Sequence, residues 1–183
     1  MERLDLYTAD RQRTGETMIR ETRVPDNRYR LVVHVCIFSS DGRMLIQQRQ
    51  PFKHGWPNLW DISMGGAATA GDTSQKAAER EVMEELGLKL DLSGVRPGFT
   101  INFSEGFDDF YFITKDLDLS ELRLQPEEVQ AVRWADREEI LQMIREGTFI
   151  PYHEPLIEMM FYYRNHKGSH THPDRSRGPW QEQ

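Results

Sequence analysis

The sequence predicts an α+β fold of the α/β/α sandwich type, in which helices cover a mixed sheet. Three observations lead to this prediction. The 183 residues are 38% hydrophobic, which suits one globular domain with a sizeable core. Segments with strand alternation stand on both sides of one Ala-rich helical segment, and helical spacing returns near the C-terminal end. We expect a single domain over residues 1–165, with a lead-in at 1–28, and a flexible tail at 166–183.

The first elements are predicted to be two hairpins. The lead-in alternates apolar and polar residues around a polar stretch that ends at Gly15, which indicates a short hairpin or irregular structure. The β-branched run "LVVHVCIF" (31–38) predicts a buried strand. An Asp-Gly turn at residues 41 and 42 then leads into a second strand, "MLIQQR" (44–49), so we expect these two strands to pair.

A short strand and a helix follow a loop rich in Pro, Gly and Trp. The segment "WDISMGG" (60–66) predicts the strand, and the Ala-rich stretch from about Thr73 to Leu86 predicts the helix, with Gly87 as its C′ residue.

The second half of the chain predicts three strands and two helices. The strands are "GFTINF" and "FDDFYFITKDL", which we expect to pair antiparallel, and "VQAVRWAD". The helices are "REEILQMIREG" and "HEPLIEMMFYYRNH".

Composition excludes several classes of function. A net charge of −7 without a concentrated Lys/Arg segment disfavours binding to nucleic acid. The longest apolar run, 31–38, is too short to cross a membrane. The single cysteine, Cys36, rules out an internal disulfide and favours a cytoplasmic protein; we interpret it as a small buried hydrophobic residue.

Three glutamates stand within five positions of the predicted helix, in "REVMEELGL" (80–88). At 100° per residue Glu81, Glu84 and Glu85 share one face, beside the apolar stripe that must pack on the sheet. Arg80 can pair with Glu84 four residues on, which leaves Glu81 and Glu85 unpaired. A hard divalent cation such as Mg²⁺, or Mn²⁺ in its place, would relieve this repulsion. The alternative is a solvated face with lateral salt bridges.

Gly65 and Gly66 precede this helix. Paired glycines let the backbone turn sharply and approach a ligand, and they can place amides near a helix N-terminus, where anions are favoured. We therefore expect both glycines to contact substrate phosphate.

Residues 66–88 resemble the Nudix box, G-x5-E-x7-R-E-U-x-E-E-x-G-U, with U an aliphatic residue. Each defined position matches except one, where Asp72 stands in place of Glu. The resemblance implies a Nudix fold with a strand–loop–helix box and a Mg²⁺-dependent attack of water on a diphosphate bond of a nucleoside diphosphate derivative. By position, Glu81, Glu84 and Glu85 match the metal-binding glutamates of the family, and Arg80 matches the arginine that orients one of them.

Two acidic residues outside the glutamate cluster have alternative interpretations. We interpret Asp72 as the N-cap of the helix, with Gln75 completing a capping box; the alternative is a water-mediated contribution to metal binding. The family often adds a carboxylate from a downstream loop, and Glu128 is the best match; the alternative is a solvated loop residue. Glu84 and Glu128 are both candidates for the catalytic base.

Cations and aromatic residues near the second strand are candidates for substrate binding. Arg49 and Lys53 could contact phosphate oxygens, although they could equally be ordinary surface cations. We interpret Trp56 and Trp60 as core anchors, with stacking on a base as the alternative.

The domain up to about residue 161 resembles Nudix proteins close to isopentenyl-diphosphate isomerase. Gly65 and Ala67 stand where those enzymes carry a catalytic Cys and a His, and Arg30 stands where a metal-binding His is expected, with His34 offset. Allylic proton transfer needs a positioned acid and base, so the sequence favours hydrolysis. An isomerase-like enzyme and a catalytically weak nucleotide-binding module remain the alternatives.

The expected partner is a small-molecule diphosphate, with no membrane and no nucleic acid. The apolar segment "LIEMMFYY" (156–163) could form a homodimer interface or a core helix. His170 and His172 could bind metal adventitiously, although a polar chain end is the preferred interpretation.

Overall fold

In the computed structural model, which describes residues 2–170, strands and helices follow the order predicted from the sequence. The strands β1 to β9 are Arg3–Tyr7, Arg13–Ile19, Arg30–Phe38, Met44–Arg49, Trp60–Asp61, Met64–Ala67, Phe99–Phe103, Gly106–Thr114 and Val129–Ala135. The helices α1 to α3 are Ser74–Leu86, Arg137–Arg145 and Glu154–Tyr163, and a short 3₁₀ turn spans Leu119–Glu121.

The main sheet is mixed, as predicted. Its central strand β3 runs parallel to β8, from the pair Arg30 and Gly106 to the pair Phe38 and Thr114. The order along the sheet is β5-β4-β3-β8-β7, with β6 paired to β3 and β9 paired to β4. Apart from β3–β8, the pairs within this sheet are antiparallel, including the predicted β7–β8 pair.

The predicted hairpin of β3 and β4 is present only at its turn. The two strands share a single register pair, Phe38 with Met44, because β6 occupies the edge of β3 that β4 leaves. For the same reason the predicted strand 60–66 is divided: its first part, β5, pairs with β4 and its second part, β6, pairs with β3. Ser63 bridges the gap, since its hydroxyl accepts from Ile37 N at 2.8 Å and donates to Leu45 O at 2.6 Å.

The helix α1 has the predicted extent but a different N-cap. Thr73 caps it, with its hydroxyl accepting from Lys76 N at 3.2 Å. The interpretation of Asp72 as the cap is therefore wrong, because its carboxylate is directed elsewhere and accepts from Thr69 at 2.7 Å and from Arg80 at 3.2 Å. Gly87 is the predicted C-terminal residue, in the left-handed conformation with φ of 65°, and its N–H donates to Met83 O.

Two apolar clusters lie on opposite faces of the sheet. One packs α1 against the sheet and includes Val33, Val82 and Leu86; the other packs α2 and α3 against the opposite face and includes Ile140 and Ile157. Cys36 lies in the second cluster and is fully buried, as predicted. Burial raises the pKa of its thiol, so Cys36 is an inert core residue.

The lead-in forms a hairpin, β1 with β2, which is the first of the two alternatives that the sequence left open. Leu4, Leu6 and Met18 pack with Val24 and with Ala67 of β6, so the hairpin covers one end of the sheet beside the box. The boundary at residue 165 stays a prediction.

The C-terminal helix is partly exposed. Ile157 and Met160 are buried in the core, whereas Met159 and Tyr162 are 40% and 49% exposed, and a homodimer through this helix stays a prediction. His172 and residues 171–183 of the predicted tail lie outside the described residues. Within residues 2–170, no helix is both long and apolar enough to span a membrane.

Candidate active site

The first feature of the site is the contact between the box helix and strand β6. Glu81 and Glu85 of α1 are each only 6% exposed. A Cβ atom added at Gly66 would lie 2.3 Å from Cδ of Glu81. Gly66 is therefore the residue that makes room for the carboxylate of Glu81 in the sheet surface.

This placement corrects the interpretation of the two glycines. Gly65 and Gly66 are extended residues of β6, paired with His34 and Val33, and they precede the start of α1 at Ser74 by several residues. Neither has a positive φ, so the expected sharp turn at a helix N-terminus is wrong. The missing side chains provide space for neighbouring residues, and contact with phosphate stays a prediction.

Glu85 contacts Gln47 of β4, and one polar atom of Gln47 has no hydrogen-bond partner in the described part of the chain. The amide nitrogen of Gln47 donates to Glu85 Oε2 at 3.0 Å, while the amide oxygen of Gln47 is buried without a hydrogen-bond partner. Burial raises the pKa of Glu85 to about 8, and the nearby Glu81 adds to the rise. Burial also raises the pKa of Glu81. The site thus holds two carboxylates that resist ionisation in the absence of added positive charge.

Arg80 connects the box residues. It contacts Glu84 at 3.1 Å, which confirms the predicted pair, and Glu81 at 2.9 Å, so the expectation that Glu81 is unpaired is wrong. One guanidinium fork reaches both carboxylates because it carries several donors in one plane. Its Nε also contacts Asp72 at 3.2 Å, so the shorter acid at this box position still reaches the arginine.

The three glutamates of the box do not all lie in the same environment. The side chain of Glu84 is 50% exposed at the rim, whereas Glu81 and Glu85 are buried. Over residues 2–170, no three His, Cys, Asp or Glu side chains are arranged to hold a metal ion. The donor set nevertheless fits a hard divalent cation, since it combines two buried carboxylates with the unpartnered amide oxygen of Gln47. Glu84 could join it by leaving Arg80.

The two cations expected to bind phosphate are both held by carboxylates. Nη1 of Arg49 lies 3.6 Å from Oδ2 of Asp61, and its Nε donates to Gly55 O at 3.0 Å. Lys53 forms an ion pair with Glu128. Arg49, Lys53 and Glu128 are thus partly buried and paired, which disfavours the alternative of freely solvated surface groups.

Asp61 is a site residue that sequence reasoning missed. It is 5% exposed, and its Oδ1 accepts from the hydroxyl of Tyr152 at 2.8 Å. Burial raises the pKa of Asp61. The available signal was a charged residue inside a predicted strand, directly before the box.

His34 occupies the space beside Gly65. Its Nε2 lies 3.1 Å from Asp108 Oδ1, and its ring stacks on Phe110 with centroids 4.5 Å apart. Its Nδ1 is buried without a partner, and a Cβ at Gly65 would lie 2.8 Å from it. A cysteine at position 65 would therefore require His34 to move.

Trp60 and Trp56 differ in how far they are buried. Trp60 is partly buried against the core, with the guanidinium of Arg133 4.9 Å from its ring centroid, in agreement with a core anchor. Trp56 is 51% exposed, so the same interpretation is wrong for it. Trp56 lies in the loop after β4, where its backbone has a positive φ of 52°.

Comparison with known proteins places the chain in the family that the box motif indicated. Residues 28–159 match the NUDIX domain. An uncharacterized Nudix hydrolase of Listeria monocytogenes is 50% identical over 165 residues, which cover 90% of this chain and 96% of that protein. An isopentenyl-diphosphate Delta-isomerase of Salmonella typhi is 27% identical over 113 residues, which cover 59% of this chain and 62% of that protein.

A solved structure supports the same fold. The crystal structure of the DR0079 protein from Deinococcus radiodurans aligns with a TM-score of 0.69 and 27% identity, over 87% of this chain and 97% of that one.

Proposed function

Since the chain belongs to the Nudix hydrolases, we propose that it cleaves a diphosphate bond in a nucleoside diphosphate derivative or a related compound, with Mg²⁺ as cofactor. Mn²⁺ is expected to substitute, because it accepts the same oxygen ligands.

One observation carries the proposal: Glu81 and Glu85 are buried together and their pKa values are raised. A fold that needed these positions only for packing could use apolar residues there, because burying carboxylates is unfavourable and Glu85 has no cationic partner among residues 2–170. A divalent cation would compensate both charges and use the free oxygen of Gln47.

Each residue then has a stated role. Glu81 and Glu85 would hold the cation, together with Glu84 at the rim if it released Arg80. Mg²⁺, when bound, neutralises diphosphate charge and lowers the pKa of water. Arg49 and Lys53 contact phosphate oxygens, and the amides of Gly65 and Gly66 border the same space.

The reaction needs one proton acceptor. Water oxygen forms a bond to phosphorus, the bridging P–O bond breaks, and the water proton passes to a carboxylate. Glu84 and Glu128 are the two candidates, and each must first exchange its ion pair, with Arg80 and with Lys53 respectively. Comparing Glu84→Gln with Glu128→Gln by kcat ranks them.

The site supports hydrolysis over the two alternatives. Isomerisation would need an acid and a base across a double bond, and the space beside Gly65 is filled by His34. A catalytically weak module was suggested by Asp72, but this shorter acid keeps its contact with Arg80.

The test is product release from a panel of nucleotide sugars, dinucleotides, nucleoside di- and triphosphates and isoprenoid diphosphates, with Mg²⁺ and then Mn²⁺. We expect phosphate or nucleoside monophosphate from at least one compound, and Glu85→Gln should abolish it. The matched control is Glu138→Gln, on the exposed surface of α2, which should retain activity. Equal activity in the Glu85→Gln variant would refute the proposal.

A further inference from the structure

Asp61 is a buried carboxylate whose two oxygens have different surroundings. Oδ1 accepts from two neutral donors, the hydroxyl of Tyr152 and the backbone N–H of Ile62, both at 2.8 Å. Oδ2 faces Arg49 at 3.6 Å, and within residues 2–170 this is the one ion pair that Asp61 makes. A buried carboxylate is unfavourable unless a cation compensates it, so Asp61 depends on Arg49.

Arg49 is fixed but keeps donors for a ligand. The one hydrogen bond of its guanidinium in the described chain joins Nε to Gly55 O, and 3.6 Å to Asp61 is longer than a direct hydrogen bond. Its side chain is 19% exposed, so part of it is accessible from solvent. Nη1 and Nη2 can therefore donate together to a phosphate group, the bidentate geometry that arginine favours.

The pair stands beside the box carboxylates. Asp61 of β5 lies directly opposite Gln47 of β4, so their side chains share one face of the sheet. Gln47 contacts Glu85, and the charge of Asp61 acts on Glu85.

We infer that Asp61 is a positioning residue, which holds the guanidinium of Arg49 in the orientation that binds a substrate diphosphate, with Tyr152 fixing Asp61 in turn. The inference rests on the proposed function. Asp61 itself makes and breaks no bond; its contribution is that Arg49 is already ordered before substrate arrives, so that less conformational freedom is lost on binding.

The test is Asp61→Asn, which keeps the shape and the acceptor for Tyr152 and Ile62 while removing the charge that faces Arg49. We expect KM to rise about tenfold, the effect of one long side chain that must be ordered on binding, with kcat within about twofold. The melting temperature should change little, because Asn keeps the acceptor for Tyr152 and Ile62 and the partly exposed guanidinium of Arg49 can be hydrated. The control is Asp41→Asn, which breaks the exposed pair with Arg43 and should leave KM unchanged.

A double-mutant cycle separates positioning from general damage. Arg49→Lys loses the bidentate fork, so Asp61→Asn should add almost nothing to the KM of an Arg49→Lys enzyme. Additive effects, or an Asp61→Asn enzyme with wild-type KM, would overturn the inference. Tyr152→Phe, which keeps the charge of Asp61, should raise KM by a smaller factor, about twofold to threefold.

Binding without turnover distinguishes this inference from the proposed function. Calorimetric titration with methylenediphosphonate, which water does not cleave, should show weaker binding to Asp61→Asn than to the wild-type chain. If the wild type hydrolyses no compound of the panel, the proposed function fails while this binding comparison still decides the inference. Equal affinity of the two proteins for methylenediphosphonate would contradict it.

Discussion

Two buried acidic regions of this molecule are built in opposite ways. The side chain of Asp109 in β8 is fully buried and accepts hydrogen bonds from Ser74 at 2.5 Å and Thr100 at 2.6 Å, in addition to an ion pair with Arg11. Glu85 in α1 is almost as buried, yet among residues 2–170 the one side chain that donates to it is Gln47, whose own oxygen has no partner there.

Asp109 is satisfied by groups of the described chain, whereas Glu85 is not, and Glu85 is the one that the proposed function assigns to the cation. Asp109 ties three elements together, because Arg11 belongs to the lead-in hairpin, Ser74 begins the box helix and Thr100 lies in β7. Every charge there is satisfied within the chain. At Glu85 residues 2–170 supply one side-chain donor, Gln47, and burying a carboxylate with so few partners is unfavourable.

The largest expected effect is the pH dependence of stability in the presence of a chelator. Because the folded-state pKa of Glu85 is about 8 against an ordinary value of 4.5, the folded protein retains a proton that the unfolded chain releases. The contribution is complete below pH 4.5 and is lost as pH rises toward about 8, by at most about 1.4 kcal/mol per pH unit. Urea unfolding across this range measures it.

Two comparisons check the origin of that slope. Glu85→Gln should flatten the slope in the chelated protein, and saturating Mg²⁺ should flatten it in the wild type, because the cation replaces the proton. An unchanged slope in the variant would show that Glu85 is not the titrating group.

The next largest effect concerns Asp109, the carboxylate that is satisfied within the described chain. Asp109→Ala should lower the free energy of unfolding by about 2–3 kcal/mol, since Ser74 and Thr100 lose a buried acceptor while the partly exposed Arg11 recovers some hydration. The kcat of the folded fraction should stay within about threefold. Stability equal to that of the wild type would remove the distinction between the two regions.

A smaller effect tests the space beside Glu81. Gly66→Ala places a Cβ within 2.3 Å of the Glu81 carboxyl carbon, so we expect kcat/KM to fall about tenfold, as for a displaced partner in a metal site. The matched control is Gly98→Ala, where a Cβ would meet the ring of Phe112 at 2.4 Å, far along the sheet. That variant should lose stability but keep kcat/KM, and equal losses of activity in both would refute the assignment.

The smallest effect concerns the departure from the box pattern. Asp72→Glu restores the family residue, but the side chain of Asp72, which is 20% exposed, already reaches Arg80. Pairs of this kind contribute about 1 kcal/mol or less, so kcat/KM should change less than about fivefold. A larger gain would mean that the longer side chain adds a metal contact.

Much of the fold followed from local patterns. The box helix, the β7–β8 pair and both C-terminal helices were predicted because period and turn residues act over a few positions. The early divergence of β3 from β4 was not, since it depends on β6 inserting from a later segment. Likewise, Thr73 and not Asp72 is the N-cap, and the carboxylate of Asp72 accepts from Arg80 instead. The sequence patterns that predict a helix start do not include a contact with a residue eight positions further on.

The site residues that belong to the box motif could be predicted from the sequence, because the motif fixes their spacing. Glu81, Glu84, Glu85 and Arg80 came from the box pattern, and their roles stay predictions. Asp61 and Gln47 were missed because each is brought to Glu85 only by the pairing of β4 with β5 and the packing of α1. Such partners have no fixed spacing from the motif in the sequence.

The parallel pairing of β3 with β8 has a consequence for how the protein folds. Arg30 and Gly106 meet across a connection that contains the whole box helix, and contacts this distant along the chain are slow to form. Asp109 of β8 accepts from Ser74 at the start of α1, so this tie between the helix and the sheet forms only once β8 has been added. We expect the N-terminal end of α1 to be fixed late on the folding route, after the sheet has closed.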